Sequence, residues 1–120
     1  MAEHNETGEK GEDLASRYLQ NKGYTVIATN WNFGKTEIDI LARRENILIV
    51  AEVKTRKNNY FGEPEESVTR QKQKNLIRAA NAYVRKNGLD VEVRFDIVSV
   101  ILNRGQHTIN HIEDAFYATL

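Results

Sequence analysis

The spacing of apolar residues changes along this chain and divides it into helices and strands. From Thr7 to Lys22 the small and apolar positions Gly8, Gly11, Ala15, Tyr18 and Leu19 recur every three or four residues. That period predicts a helix, and Gly23 stands where a C-terminal cap is expected. Tyr24 to Thr29 is rich in β-branched residues and reads as a strand. Asn30 to Lys35, with Trp31, Phe33 and Gly34, reads as a loop, and Thr36 to Arg43 as a second strand. After a turn at Glu45-Asn46, Ile47 to Thr55 is a third strand, apolar on both faces up to Ala51 and therefore expected at the centre of a sheet. Arg56 to Glu66 is a polar loop carrying Tyr60, Phe61, Gly62 and Pro64. Ser67 or Thr69 can cap a long helix that reaches Lys86 or Asn87, with Gly88 after it and an apolar stripe of Val68, Leu76, Ala79, Ala80 and Tyr83. Val91 to Leu102 alternates as a fourth strand, Asn103 to Gln106 turns around Gly105, and Thr108 to Ile112 reads as a short fifth strand. The order α-β-β-β-α-β-β predicts an α/β fold, a mixed sheet flanked by helices. One domain over residues 1–120 is expected, with residues 1–6 as a frayed tail.

Charges interrupt this pattern where core is expected. Glu37-Ile38-Asp39 lies in the second strand and Glu52-Val53-Lys54 in the third, about a dozen positions later. Residues two apart in a strand share a face, so Glu37 goes with Asp39 and Glu52 with Lys54. If the two strands form a hairpin, Asp39 and Glu52 lie on neighbours, and register decides whether they meet. Hard cations such as Mg²⁺ or Mn²⁺ take oxygen ligands, often one or two carboxylates with water and phosphate. Asp39, Glu52 and the backbone carbonyl of Val53 are the candidate ligands. Lys54 would orient or deprotonate a water, or stabilise a pentavalent phosphorane; the sequence does not choose. Glu12 falls on the inward stripe of the first helix and Lys72 one turn before Leu76 on the second. Both can converge on the same pocket, Glu12 as an outer-sphere or second-metal ligand and Lys72 as a phosphate contact. Plainer readings stand beside these: edge-strand charges with a Glu52–Lys54 ion pair, a solvated Glu12 in the first helix, and a solvated basic face holding Lys72.

Composition narrows the alternatives. The chain has 120 residues, enough for one core, with 28% charged residues and no net charge. A polyanion site must therefore come from local clustering. The middle of the chain supplies it: Lys54, Arg56, Lys57, Arg70, Lys72, Lys74 and Arg78, whereas acidic residues gather in the first segment. Tyr60 and Phe61 can stack on unpaired bases or anchor their loop to the core. Arg94 and Asp96 share a strand face and read as a structural ion pair, and His107 and His111 as surface histidines rather than metal ligands. There is no cysteine, which excludes disulfides and thiolate metal sites. No apolar run approaches the roughly twenty residues of a membrane span. Met1 to Gly11 is polar, without the apolar core of a signal peptide, and a cytoplasmic location is expected.

The motifs Gly8-x-x-Gly11-Glu12-x-x-Ala15, Gly23-Tyr24, Asn30, Glu37-Ile38-Asp39, Glu52-Val53-Lys54-x-Arg56, Gly62-x-Pro64, Lys72 and Arg94-Phe95-Asp96-Ile97-Val98 occur in an order that resembles the YraN-like family of small bacterial proteins. The similarity runs from about Gly8 to Val100. The resemblance implies a restriction-endonuclease-like (PD-(D/E)XK) three-layer α-β-α fold, similar to archaeal-type Holliday junction resolvases. It also implies a site of Glu12, Asp39, Glu52 and Lys54. Thr36 stands where the family usually has glycine, Ala51 replaces a bulkier residue, and Ile38 stands where the superfamily has proline.

The resulting expectation is a Mg²⁺- or Mn²⁺-dependent nuclease acting on DNA, including branched or structured DNA, with Arg56, Lys57 and Lys72 on the nucleic acid. Junction resolution would require a homodimer, for which Val91 to Leu102 is a candidate pairing edge. Two alternatives are a non-catalytic nucleic-acid-binding module and a protein-interaction domain with a relic site.

Overall fold

The structure, a computed structural model, describes residues 2–57 and 68–117, with residues 2–6 as backbone. Helix α1 spans Ala2–Asn21, strands β1 Thr25–Phe33, β2 Thr36–Arg44 and β3 Ile47–Lys57, helix α2 Arg70–Lys86, and strands β4 Glu92–Asn103 and β5 Gln106–Phe116. The five strands form one mixed sheet in the order β1-β2-β3-β4-β5. All neighbours are antiparallel except β3 and β4, which run parallel. A parallel pair needs a crossover, and α2 is part of it.

Each sheet face carries its own core. Leu48 and Val50 pack with Phe95, Ile97, Leu76, Ala79 and Ala80 beneath α2. The alternate residues Ile49 and Ala51 pack with Val98, Val100, Ala15 and Leu19 beneath α1. The period of two in β3 thus serves both faces, as its apolar run and central place require. Gly11 sets the closeness of α1 to the sheet. A Cβ there would lie 1.8 Å from Thr55 Oγ1, so only glycine lets the helix approach β3 at this point. Nothing crowds Gly8, so only one of the two glycines makes the expected approach. Gly23 adopts φ +96° after α1, and the Tyr24 amide closes the cap on the Leu19 carbonyl at 3.0 Å. At α2, Thr69 is the N-cap, its hydroxyl accepting from the Lys72 amide at 3.2 Å.

Several boundaries differ from expectation. The first helix begins at Ala2 rather than Thr7. β1 continues through the expected 30–35 loop to Phe33, because Trp31 packs edge-on against Tyr83 of α2, centroids 5.2 Å apart, and pairs with Ile38. β5 is eleven residues rather than five, because Ile112, Ala115 and Phe116 join the core under α2 and Phe116 stacks on Phe95 at 5.1 Å. β4 is bonded on both sides, to β3 and β5, so it is no pairing edge. Arg56 and Lys57 belong to β3 rather than to a loop. Ser67, Tyr60, Phe61, Gly62 and Pro64 lie outside the described residues.

Candidate metal and phosphate site

The site lies where β2 and β3 part. Their ladder ends at the pair Ile40↔Ala51. Beyond it β2 stays with β1 to the pair Phe33↔Thr36, while β3 stays with β4 to Lys57↔Leu102. Asp39 and Glu52 are the first residues past the last rung, one on each side of the fork. Alternation in β2 breaks here too: Ile38 packs in the core under α2 and Ile40 in the one under α1. Register therefore brings the two carboxylates together. Asp39 Oδ2 accepts from the Val53 amide at 2.8 Å, standing in for the ladder carbonyl that β2 no longer offers. A strand residue turns its N–H and C=O toward the same neighbour, so the Val53 carbonyl also faces the fork.

Both carboxylates are buried, Asp39 at 9% and Glu52 at 4% exposure. A pocket of about 290 Å³ opens beside them, lined by Lys35, Thr36, Glu37, Asp39, Glu52, Lys72, Asn75 and Leu76. Lys72 Nζ sits 2.5 Å from Glu52 Oε1, and Lys54 Nζ lies 3.7 Å from the same oxygen. The plainer reading of Lys72 as part of a solvated face is overturned: α2 aims it into the pocket. The expected Glu52–Lys54 pair is present, but Lys72 is the closer partner.

Glu12 reaches the fork from the opposite side. It borders a second hollow between α1 and β1, with Glu9, Asp13, Ser16, Thr29 and Asn30. Carboxylate oxygens of Glu12, Glu37 and Asp39 all lie within 4.8 Å of one another, close enough to share a cation. The Asn30 side-chain amide donates to Glu12 Oε1 at 3.0 Å and to Glu37 Oε1 at 3.1 Å. Asn30 holds φ +50°, a left-handed conformation that asparagine tolerates better than most residues. Glu37 and Asn30 are thus neighbours of the site that sequence reasoning did not assign. The Glu37 signal was its place two residues before Asp39; Asn30 had only its place in the resembling motif. Arg56 and Lys57 do not line the pocket; they lie further along β3, opposite Ile101 and Leu102.

The electrostatics follow from burial and crowding. Burial, then the charges of Glu52 and Glu12, push Asp39 up to about 7, against the opposing Val53 amide and Lys72. Burial, then the neighbouring Lys72 charge, hold Lys54 below the usual lysine range. Burial works to lower Lys72, but its hydrogen bond and charge attraction to Glu52 raise it overall. Glu52 Oε2 is buried and has no hydrogen-bond partner among the described residues. A buried carboxylate oxygen without a donor is unfavourable, and a hard cation is a partner that would satisfy it. The donor set therefore fits Mg²⁺ or Mn²⁺: Asp39, Glu52 Oε2 and the Val53 carbonyl, all oxygen, with Glu12 and Glu37 alongside.

A second polar cluster lies on the α1 face of the sheet. Arg94 clasps Asp96 through Nε and Nη2, each at 2.9 Å, confirming the expected ion pair. His111 is no surface residue: its side chain is 3% exposed, with Nε2 2.7 Å from Asp96 Oδ2 and Nδ1 3.2 Å from the Tyr18 hydroxyl. On β5 it pairs with Val98 of β4 and turns toward Asp96 and α1. His107 is exposed, as expected.

The fold and this pocket define a small α/β domain with paired carboxylates and two lysines at a fork in its sheet. Its kinship is equally clear. The family model described as "Uncharacterised protein family UPF0102" matches residues 11–100, and the chain belongs to that family, the YraN-like proteins its motifs resemble. It is 52% identical over 117 residues to a UPF0102 protein of Flavobacterium psychrophilum, covering 98% of both chains. It is 49% identical over 120 residues to one of Bacteroides thetaiotaomicron, covering 100% of this chain and 99% of the relative. Among the described residues no helix is long and apolar enough to cross a membrane.

Proposed function

We propose that this protein is a metal-dependent nuclease of the restriction-endonuclease-like type, hydrolysing phosphodiester bonds in DNA with Mg²⁺ or Mn²⁺. The observation that carries the reading is the buried Asp39–Glu52 pair at the β2–β3 fork, with a donorless Glu52 oxygen and two lysines on the same carboxylate. A metal held by Asp39, Glu52 and the Val53 carbonyl supplies a Lewis acid, which lowers the pKa of a bound water and neutralises charge developing on phosphate. Lys54, held below the usual lysine range, suits a group that takes a proton from the attacking water. Lys72 meets the phosphate from the start of α2, where the helix N-terminus also favours an anion. Glu12 and Glu37 hold the outer side of the fork, tied to each other by the Asn30 amide.

Branched or structured DNA is the substrate class we put first, on the resemblance to junction resolvases, and a cytoplasmic homodimer is the form such an activity needs. Since β4 is interior, pairing through strands would use β1 or β5, the two edges of the sheet.

The test is cleavage of four-way-junction, flapped and linear DNA in Mg²⁺ and Mn²⁺, comparing the unaltered protein with Asp39→Asn. Metal-dependent products that disappear in the variant are expected. Equal activity in the variant, or no metal-dependent product on any substrate, would count against the nuclease reading. Salt-sensitive binding without products would favour the non-catalytic nucleic-acid-binding module.

A further inference from the structure

Lys72 occupies an unusual place. It lies in the first turn of α2, which holds no acidic residue and also carries Arg70. Cations there oppose the helix macrodipole. The position therefore does not serve the helix, and the contact made by its ammonium is with Glu52 Oε1 at 2.5 Å. Glu52 is sealed at 4% exposure, whereas the Lys72 side chain is 39% exposed. The carboxylate cannot move away, but the lysine can swing toward solvent and toward whatever enters the pocket.

From this geometry we infer that Lys72 is the resident counter-cation of Glu52: it balances the carboxylate through Oε1 until a divalent metal binds at Oε2, and is then released to the substrate phosphate. The inference rests on the metal-site reading and adds a coupling to it. The ammonium sits on Oε1 and the metal would sit on Oε2 of the same carboxylate, where the two cations repel each other and share one negative charge, so the Lys72–Glu52 pair and metal binding oppose each other. An anion that draws Lys72 off Glu52 removes that opposition. Metal and a phosphodiester then bind cooperatively, and metal alone binds weakly. Lys72 acts here as a positioning residue through Glu52.

The test is Mn²⁺ binding by calorimetry, with dimethyl phosphate as a phosphodiester probe that carries no nucleobase. Lys72→Met, and Lys72→Gln as the more polar version, should bind Mn²⁺ roughly tenfold tighter than the unaltered protein, within the range of ordinary coupling between sites. Lys72→Arg, which keeps a cation, should not. Dimethyl phosphate should tighten Mn²⁺ binding in the unaltered protein, and most of that gain should vanish in Lys72→Met. A structural role for Lys72 would instead leave metal affinity unchanged or weaken it, and either result overturns the inference. In the unaltered protein, the Lys72 ammonium signal in ¹⁵N NMR should shift on Mg²⁺ addition with the same midpoint as the Val53 amide. A fixed Lys72 signal beside a moving Val53 would refute the exchange even if no variant folds. Absence of any metal response at Val53, with Asp39→Asn indistinguishable from the unaltered protein, would remove the metal site itself and both readings with it.

Discussion

Asp39 Oδ2 accepts the Val53 amide proton at 2.8 Å, so a side chain completes the β3 edge where the β2 backbone has turned away. The carboxylate stands in for the missing rung at the fork. The same contact fixes the carboxylate in a buried place next to Glu52, and the two demands conflict.

That conflict predicts a pH dependence. Asp39 titrates at about 7 in the folded protein, against 3.8 ordinarily. Between these values the native state holds a proton that the unfolded chain has released. Stability therefore falls as pH rises from roughly 4 to 7, by as much as a few kcal/mol. Asp39→Asn can keep an acceptor for the Val53 amide and cannot ionise. It should flatten that slope and make the metal-free protein more stable at pH 8, while abolishing metal binding. Asp39→Ala leaves the Val53 amide without its acceptor and should lose about 1–3 kcal/mol. Urea denaturation with chelator at pH 5 and pH 8 measures all three. A parallel pH slope in Asp39→Asn would show that the site does not carry the strain.

Lys54 separates two chemical roles. Its burial and the nearby Lys72 charge make its ammonium easier to deprotonate. If it takes the water proton, Lys54→Arg must fail as completely as Lys54→Ala, because arginine stays charged. A fall of about 10²-fold or more in rate is expected for both, near the usual size of general-base effects. Activity preserved by arginine would instead give Lys54 the role of stabilising phosphorane charge.

What was legible in the sequence follows from what local patterns encode. The strand positions of Asp39 and Glu52 and the central place of β3 were readable, because alternation and apolar runs report burial directly. Their meeting was not, since register depends on where β2 turns away, and no residue spells that out. His111 was misread because its burial comes from distant partners, Asp96 on β4 and Tyr18 on α1, which the strand's own pattern does not name. The polar residues Glu113 and Asp114 hid the extension of β5 to Phe116 from a hydrophobic pattern. Lys72 was ambiguous because a basic helix face and a single inward lysine look alike until the angle of α2 to the sheet is known.

Gly11 tests how the first helix delivers Glu12. A methyl group added there would collide with Thr55 Oγ1 and lie 2.7 Å from Thr55 Cβ, too close for side-chain rotation alone to relieve. Gly11→Ala should destabilise by about 1–3 kcal/mol, as overpacking does, despite the better helix propensity of alanine. Adding Thr55→Ala should recover only part of the loss, since the Cβ contact stays. Activity should fall further than stability, because Glu12 follows Gly11 directly and moves with it. Thermal melts and cleavage rates on the same preparations compare the two effects.

The cluster around Asp96 should separate structure from chemistry. Burial alone would raise this carboxyl, but the His111 and Arg94 hydrogen bonds and the Asp114 amide outweigh it and hold it below the usual range. The stability it contributes is present above its unfolded value near 3.8 and is lost as pH falls through the lower native value. At 0% exposure it joins β4 to β5 through His111 and Asp114, and Arg94 ties the pair to the Tyr24 hydroxyl at 2.8 Å. Asp96→Ala leaves Arg94 without its buried partner and should cost about 3–5 kcal/mol. Asp96→Asn keeps the shape and should cost less. The Asp96 backbone pairs with Ala51 at the last rung, but its side chain lies on the α1 face with His111 and Arg94, so metal affinity in whatever fraction remains folded should match the unaltered protein. Calorimetric Mn²⁺ titration below the melting temperature checks this. A large loss of metal affinity in folded Asp96→Asn would show that the two faces of the sheet are coupled.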